Sequence, residues 1–75
     1  MDIILFGQLT DITGIKNLKL NGIKDTLSLV KELNRKYPAL GQTCYLLAVD
    51  KTIVVENTVL NEQSTIALMP PFAGG

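Results

Sequence analysis

One amphipathic helical stripe between short apolar runs constrains the fold of this chain more than any other feature. The stripe has the spacing of a single helix face and consists of Leu29, Val30, Leu33 and Tyr37, with Leu27 at its margin. Asp25 or Thr26 is expected to cap this helix, and Pro38 is expected to end it after about three turns. The other apolar runs are too short for helices, so the pattern predicts a sheet covered by one helix.

The predicted strands lie on both sides of that helix in the sequence. Two precede it, at 3–6 and 17–20, and up to three follow it, at 45–49, 53–55 and 65–69. This order predicts an α+β protein with the β-grasp (ubiquitin-like) fold. We expect a mixed sheet of four to five strands with one main helix on one face. The first and last strands should be central and parallel neighbours.

Three local signals refine this expectation. Asn21 followed by Gly22 predicts a turn, and Val59 with Leu60 is expected to fill a gap in the core. Cys44, the one cysteine, is expected to be a small buried residue rather than a reactive thiol. Because the chain has a single cysteine and no histidine, the sequence predicts neither an internal disulfide nor a metal site.

The 75 residues are expected to form one small β-grasp domain over 1–69, followed by an extended tail over 70–75. Three of the predicted strands are apolar on both faces, whereas a single helix covers only one face. One interpretation is that central strands tolerate some exposed apolar area. The interpretation that we favour is a partner protein that docks on the second face, beside the tail.

Charge and hydropathy exclude several classes of function. Seven basic residues balance seven acidic ones, so the sequence lacks the basic face that nucleic-acid binding needs. No apolar stretch is long enough to span a bilayer, and the N-terminus lacks the basic start of a secretory signal. The sequence therefore predicts a cytoplasmic protein that binds neither nucleic acid nor membrane.

The tail offers the chemistry that the rest of the sequence lacks. The chain contains no histidine or cysteine pair, and its carboxylates are scattered, so it is not expected to be catalytic alone. The carboxylate of Gly75 is different, because ATP-dependent activation to an acyl-adenylate would let sulfur or an amine capture the acyl carbon. The residues expected to enter a partner's narrow channel are Pro70, Pro71, Phe72, Ala73 and Gly74. The alternative is that the two glycines are merely a flexible end.

Several of these segments resemble the sulfur-carrier small subunits of molybdopterin synthase, the MoaD family. The resemblance runs essentially from end to end. It covers a first strand and loop at 4–14, the helix with Tyr37 and Pro38, a middle part at 47–50 and 58–60, and most specifically the closing segment 66–75. The sequence departs from the family pattern at Gln8 and Thr10, where an arginine is frequent in the first loop. It also departs at Gln63 and Ser64, where a Gly-Asp turn is frequent.

The resemblance implies a sulfur-transfer cycle. A ubiquitin-activator-like adenylating enzyme would use ATP on Gly75, and a sulfur donor protein would convert the terminus into a thiocarboxylate. The tail would then enter the large subunit of molybdopterin synthase, in a heterotetramer, and deliver sulfur to cyclic pyranopterin monophosphate for the molybdenum cofactor. The resemblance implies no cofactor bound by this chain itself.

Three alternatives remain open at this stage. The carrier could serve thiamine or another sulfur-containing product, because related carriers share the fold and the two glycines. The chain could instead be a ubiquitin-like modifier, conjugated to other proteins through Gly75. It could also be an interaction module with an inert tail.

Overall fold

A five-stranded mixed sheet forms the centre of the computed structural model, which describes residues 1–71. The strands are β1 (Asp2–Leu5), β2 (Asn17–Lys19), β3 (Leu46–Val49), β4 (Thr52–Val54) and β5 (Thr65–Met69). The helices are α1 (Gln8–Thr13) and α2 (Thr26–Lys36), and a 3-10 helix spans Pro38–Gln42. The sheet order is β2-β1-β5-β3-β4, with β1 and β5 parallel. The predicted β-grasp fold is confirmed, including its central parallel pair.

Helix α2 begins and ends where the sequence places it. The backbone N–H of Ser28 donates to Asp25 Oδ1 at 2.8 Å, so Asp25 is the N-cap. The backbone N–H of Tyr37 donates to the carbonyl of Leu33 at 2.8 Å, and Pro38 then begins the 3-10 helix. Leu29 and Leu33, one turn apart, are fully buried against the sheet.

The core lies between α2 and one face of the sheet. Ile3 pairs with Ile66 and Leu5 with Leu68 across the parallel strands, and all four side chains are buried. Burial alternates along β1 and β5, as expected for strands with one face on the core. The fully buried side chains are Ile3, Leu9, Leu29, Leu33, Leu40, Ile66 and Leu68.

The segment after β1 is helical, so the prediction of a loop there is wrong. Helix α1 buries Leu9 completely and ends at Gly14, whose φ of 79° is the left-handed conformation common after a helix. The backbone N–H of Gly14 donates to the carbonyl of Thr10 at 2.8 Å. Six residues are too few for helical periodicity to be recognised in a sequence, which explains the error.

Two single-residue predictions are also corrected. Val59 is 84% exposed, and only Leu60 is buried. The backbone of this segment bridges to Asp25 and Lys24, and successive side chains of such an extended segment point to opposite sides. Cys44 is exposed rather than buried, because its neighbour Tyr45 takes the position that packs against the core.

The turn before β5 is built without the Gly-Asp pair that the resemblance favours. The backbone N–H of Gln63 donates to Asn61 Oδ1 at 2.8 Å, and that of Asn61 donates to Ser64 Oγ at 3.1 Å. Side-chain oxygens of this kind close turns that glycine would otherwise close. In the part of the chain that the structure describes, no helix is long and apolar enough to cross a membrane.

Candidate functional site

The candidate site begins where β5 ends. Met69 is the last residue of β5 and pairs with Leu46 of β3. On the other side of β5, the backbone N–H of Phe6 donates to the carbonyl of Leu68 at 3.0 Å. Pro70 has no N–H to extend this ladder, so the chain leaves the sheet here. Because β5 lies between β1 and β3, its last residues are hydrogen-bonded to a strand on each side where the tail begins.

Gly7 fits closely under the start of the tail. Its φ of 59° and ψ of −138° belong to a region that is nearly restricted to glycine. A Cβ built on Gly7 would lie 2.9 Å from Pro70 Cγ, closer than such atoms approach in proteins. Glycine is therefore needed at this position both for the backbone angle and for the contact with Pro70. The sequence alone does not reveal this role, because there Gly7 simply follows the predicted strand at 3–6.

The structure describes only part of the predicted site. Pro70 and Pro71 are half-buried at the end of β5. The other predicted site residues, Phe72, Ala73, Gly74 and Gly75, lie outside the described residues, so their roles stay predictions. Gln8 and Thr10, the departures from the family pattern, are on α1 directly after Gly7. They therefore flank the base of the tail, and Thr10 donates its hydroxyl to the carbonyl of Leu5 at 3.3 Å.

A continuous apolar surface adjoins the base of the tail. We call it the open face, because it is the side of the sheet opposite α2. The cross-strand register and strand alternation assign to it Ile4, Phe6, Leu46, Ala48, Ile53, Ala67 and Met69. Ile4, Phe6 and Ile53 are 37%, 47% and 55% exposed. The second apolar face that the sequence predicted is thus present in the sheet.

Charged groups on the open face lie away from the tail. Asp2 and Lys19 form an ion pair at 3.9 Å, at the end of the sheet where β1 begins. Because β1 and β5 are parallel, the base of the tail lies at the opposite end of the sheet. An exposed pair of this kind contributes little to stability. The residues of the open face at the end nearest Pro70, Phe6, Leu46 and Met69, are apolar.

A groove of about 450 Å³ lies on the helix side of the sheet, between α2, β3 and β4. Tyr45 lines this groove, and its hydroxyl donates to Asn34 Oδ1 at 3.3 Å. Burial raises the pKa of the Tyr45 phenol above its ordinary value, because the charged form is poorly solvated there. The exposed thiol of Cys44 lies beside it. The sequence has no histidine that could activate this thiol.

In the described residues, the two carboxyl groups with lowered pKa values lie in α2 and at its N-cap. Hydrogen bonds from Ser28 lower the pKa of the Asp25 carboxyl, which caps the helix. A hydrogen bond from Arg35 lowers the pKa of Glu32 within the same helix. Within residues 1–71, no group of three or more potential metal ligands lies together. These shifts are explained by helix structure and do not mark a reaction centre.

Comparison with known proteins places the chain among small sulfur-carrier proteins. The sequence pattern of the ThiS family matches residues 3–75. The molybdopterin synthase sulfur carrier subunit of Mycobacterium tuberculosis is 30% identical, over all of this chain and 96% of that protein. The subunit of the same name from Arabidopsis thaliana is 26% identical, over 97% of this chain and 80% of that protein.

A solved structure supports the fold. The small archaeal modifier protein 1 of Methanosarcina acetivorans superposes with a TM-score of 0.82, over 99% of this chain and 94% of that chain. The two sequences are 22% identical, so this likeness concerns the fold alone.

Proposed function

Because the chain belongs to the ThiS family, we propose that it is a sulfur carrier that works as the small subunit of molybdopterin synthase. The observation that carries this proposal is the family match, which runs from residue 3 through Gly75 and so includes the two terminal glycines. Both curated relatives are named as this subunit. The open face beside the base of the tail adds a surface suited to the large subunit.

In the proposed reaction, Gly75 carries the sulfur. Its carboxylate attacks the α-phosphate of ATP within an adenylating enzyme, and pyrophosphate leaves. A persulfide on the sulfur donor protein then attacks the acyl carbon and displaces AMP, which leaves an acyl disulfide between the two proteins. A second thiol of the donor attacks that S–S bond and forms a disulfide within the donor, and the terminus is released as a thiocarboxylate. Activation is needed because a free carboxylate repels nucleophiles and has no good leaving group. Gly74 and Ala73 present little side-chain bulk, so the terminus fits a narrow channel.

The proposed partners divide the remaining work. The large subunit holds cyclic pyranopterin monophosphate and receives the tail, in a cytoplasmic heterotetramer. We assign Phe72 of the tail as an aromatic anchor for the large subunit, because buried aromatic side chains commonly carry interface energy. Pro70 and Pro71 restrict the tail before binding, which lowers the entropy lost when it is ordered in the channel. ATP is bound by the adenylating enzyme, not by this chain.

The test is intact-mass analysis after incubation with an adenylating enzyme, ATP and a sulfur donor. The expected product has one oxygen of the terminus replaced by sulfur, and it converts the pyranopterin precursor when the large subunit is added. A variant that lacks Gly75 should stay folded but gain no sulfur. A chain that is extended beyond Gly75 should also stay folded and gain no sulfur. Sulfur transfer to a product other than molybdopterin would contradict the assigned acceptor. Isopeptide adducts without sulfur would instead identify a modifier.

A further inference from the structure

The turn at Asn21 and Gly22 is held by one carboxylate at the end of the sheet away from the tail. The backbone N–H of Gly22 donates to Glu62 Oε1 at 2.9 Å. With the amide of Asn21 oriented so that its nitrogen faces Glu62, Nδ2 donates to Glu62 Oε2 and to the carbonyl of Leu20, each at 3.1 Å. The amino group of Met1 lies 4.0 Å from Glu62 Oε2. The function proposed above uses none of these groups.

Asn21 is the one asparagine of the chain that a glycine follows. This dipeptide is chemically labile, because glycine has no Cβ to obstruct its own nitrogen. The nitrogen of Gly22 attacks the Asn21 side-chain carbonyl, forming an N–C bond, while the C–Nδ2 bond breaks and ammonia leaves. Water then opens the cyclic imide to aspartate or isoaspartate. The net reaction is hydrolysis of the amide, which needs no other reactant.

Both reacting groups are engaged by the same carboxylate. The Gly22 nitrogen must lose its proton before it attacks, and a negative charge 2.9 Å away disfavours a second negative charge on that nitrogen. The Asn21 amide must also turn away from Glu62 and Leu20 to present its carbonyl carbon to Gly22. We propose that Asn21 is a deamidation site of this protein and that Glu62 protects it by holding both reacting groups.

The consequence of deamidation follows from charge and position. The product places a carboxylate beside Glu62 and changes the formal net charge from 0 to −1. Two adjacent like charges weaken the contact between this turn and Glu62. Because Glu62 precedes the start of β5, whereas Pro70 follows its end, the change lies far from the base of the tail. Deamidated protein should therefore gain sulfur at the rate of the intact protein.

The experiment compares Glu62→Gln and Glu62→Ala with the unchanged protein during incubation at neutral pH. Isoelectric focusing measures the acidic form, and peptide mapping identifies the converted residue. Glu62→Ala removes hydrogen bonds to a charged group, which are stronger than neutral ones. Their loss should raise the rate of Asn21 deamidation on the order of tenfold. The increase should be smaller for Glu62→Gln, because a glutamine oxygen still accepts a hydrogen bond. The other asparagines, Asn17, Asn34, Asn57 and Asn61, serve as internal references.

Two controls separate protection by Glu62 from other effects. Glu56→Gln removes the same charge from an exposed residue elsewhere and should leave the rate unchanged. In denaturant, the unchanged protein and both Glu62 variants should deamidate at one common rate, because the contact with Glu62 is then absent. Equal rates for the folded unchanged protein and folded Glu62→Ala would overturn the proposal. So would conversion in the Glu62 variants at an asparagine other than Asn21.

Discussion

Replacing Gly7 by alanine tests whether this glycine fixes the start of the tail. The substitution adds one methyl group, and its Cβ would lie 2.9 Å from Pro70 Cγ. It also forces a residue with a Cβ into a φ of 59° and a ψ of −138°. The matched control is Gly14→Ala, because Gly14 also has a positive φ of 79° but has no heavy atom within 4 Å of an added Cβ.

The expected loss of stability follows from these two differences. A residue other than glycine in the left-handed region costs roughly 1–2 kcal/mol, which is the expected loss for Gly14→Ala. The backbone region of Gly7 costs about 1–3 kcal/mol, and the contact with Pro70 adds to that because one of the two residues must shift. We therefore expect about 2–4 kcal/mol for Gly7→Ala. A domain of this size has a core worth roughly 3–5 kcal/mol, so this variant should be close to unfolding.

Urea denaturation followed by circular dichroism measures the loss of stability in Gly7→Ala and in Gly14→Ala. If the m-value is unchanged, the denaturation midpoints of the two variants can be compared directly. The double variant Gly7→Ala/Pro70→Ala isolates the contact, because alanine at position 70 removes the Pro70 Cγ atom that the new Cβ would meet. The double variant should lose less stability than the sum of the two single variants. Strict additivity would refute the contact between Gly7 and Pro70. Equal losses for Gly7→Ala and Gly14→Ala would refute the argument as a whole.

Three further predictions concern the open face, the core and the cap of α2. Phe6→Asp should weaken binding to the large subunit roughly tenfold or more in calorimetry. Leu27→Asp, which changes an apolar residue of similar exposure on α2, should not weaken it. Leu33→Ala should cost about 2–5 kcal/mol in urea denaturation, because the side chain is fully buried. The pKa of Asp25 is lower in the folded state than its unfolded value of 3.8. The ionised carboxylate therefore stabilises the fold above that unfolded value, and this stabilisation is lost as the pH falls through the folded pKa. The stability difference between the unchanged protein and Asp25→Ala should therefore shrink in acid, and a constant difference would contradict the cap.

The sequence predicted the parts of the fold that repeat a clear period. The stripe on α2, the cap at Asp25 (one of the two candidates) and the strand at Thr65–Met69 all agree with the structure, because each is a local pattern with its own stop signal. Helix α1 was missed because one and a half turns of helix carry almost no period. Val59 was misplaced because the alternation around it depends on a long-range bridge to Asp25. Such a pairing cannot be derived from neighbouring residues.

The candidate site shows the same difference between local patterns, which a sequence reveals, and long-range contacts, which it does not. The chemistry proposed for Gly75 depends only on which residues form the tail, so the sequence was sufficient to suggest it. The role of Gly7 depends on a contact with Pro70, which is far along the chain and becomes a neighbour only because β1 and β5 are parallel. In the sequence, Gly7 only follows the predicted strand at 3–6. Only the fold shows that its missing side chain leaves room for the tail.

In the proposed function, the position of β5 links the surface that the partner recognises to the start of the tail. Met69 pairs with Leu46 of β3, and the carbonyl of Leu68 accepts a hydrogen bond from Phe6 on the β1 side. The backbone is therefore bonded on both sides up to Pro70. A tail that followed an edge strand would start from a less constrained point, since edge strands are bonded on one side only. The open face and Pro70 therefore form one rigid surface. In the proposed function, residues 70–75 reach at most about 20 Å when extended, so the reactive pocket of a partner that covers the open face is expected within that distance of Pro70.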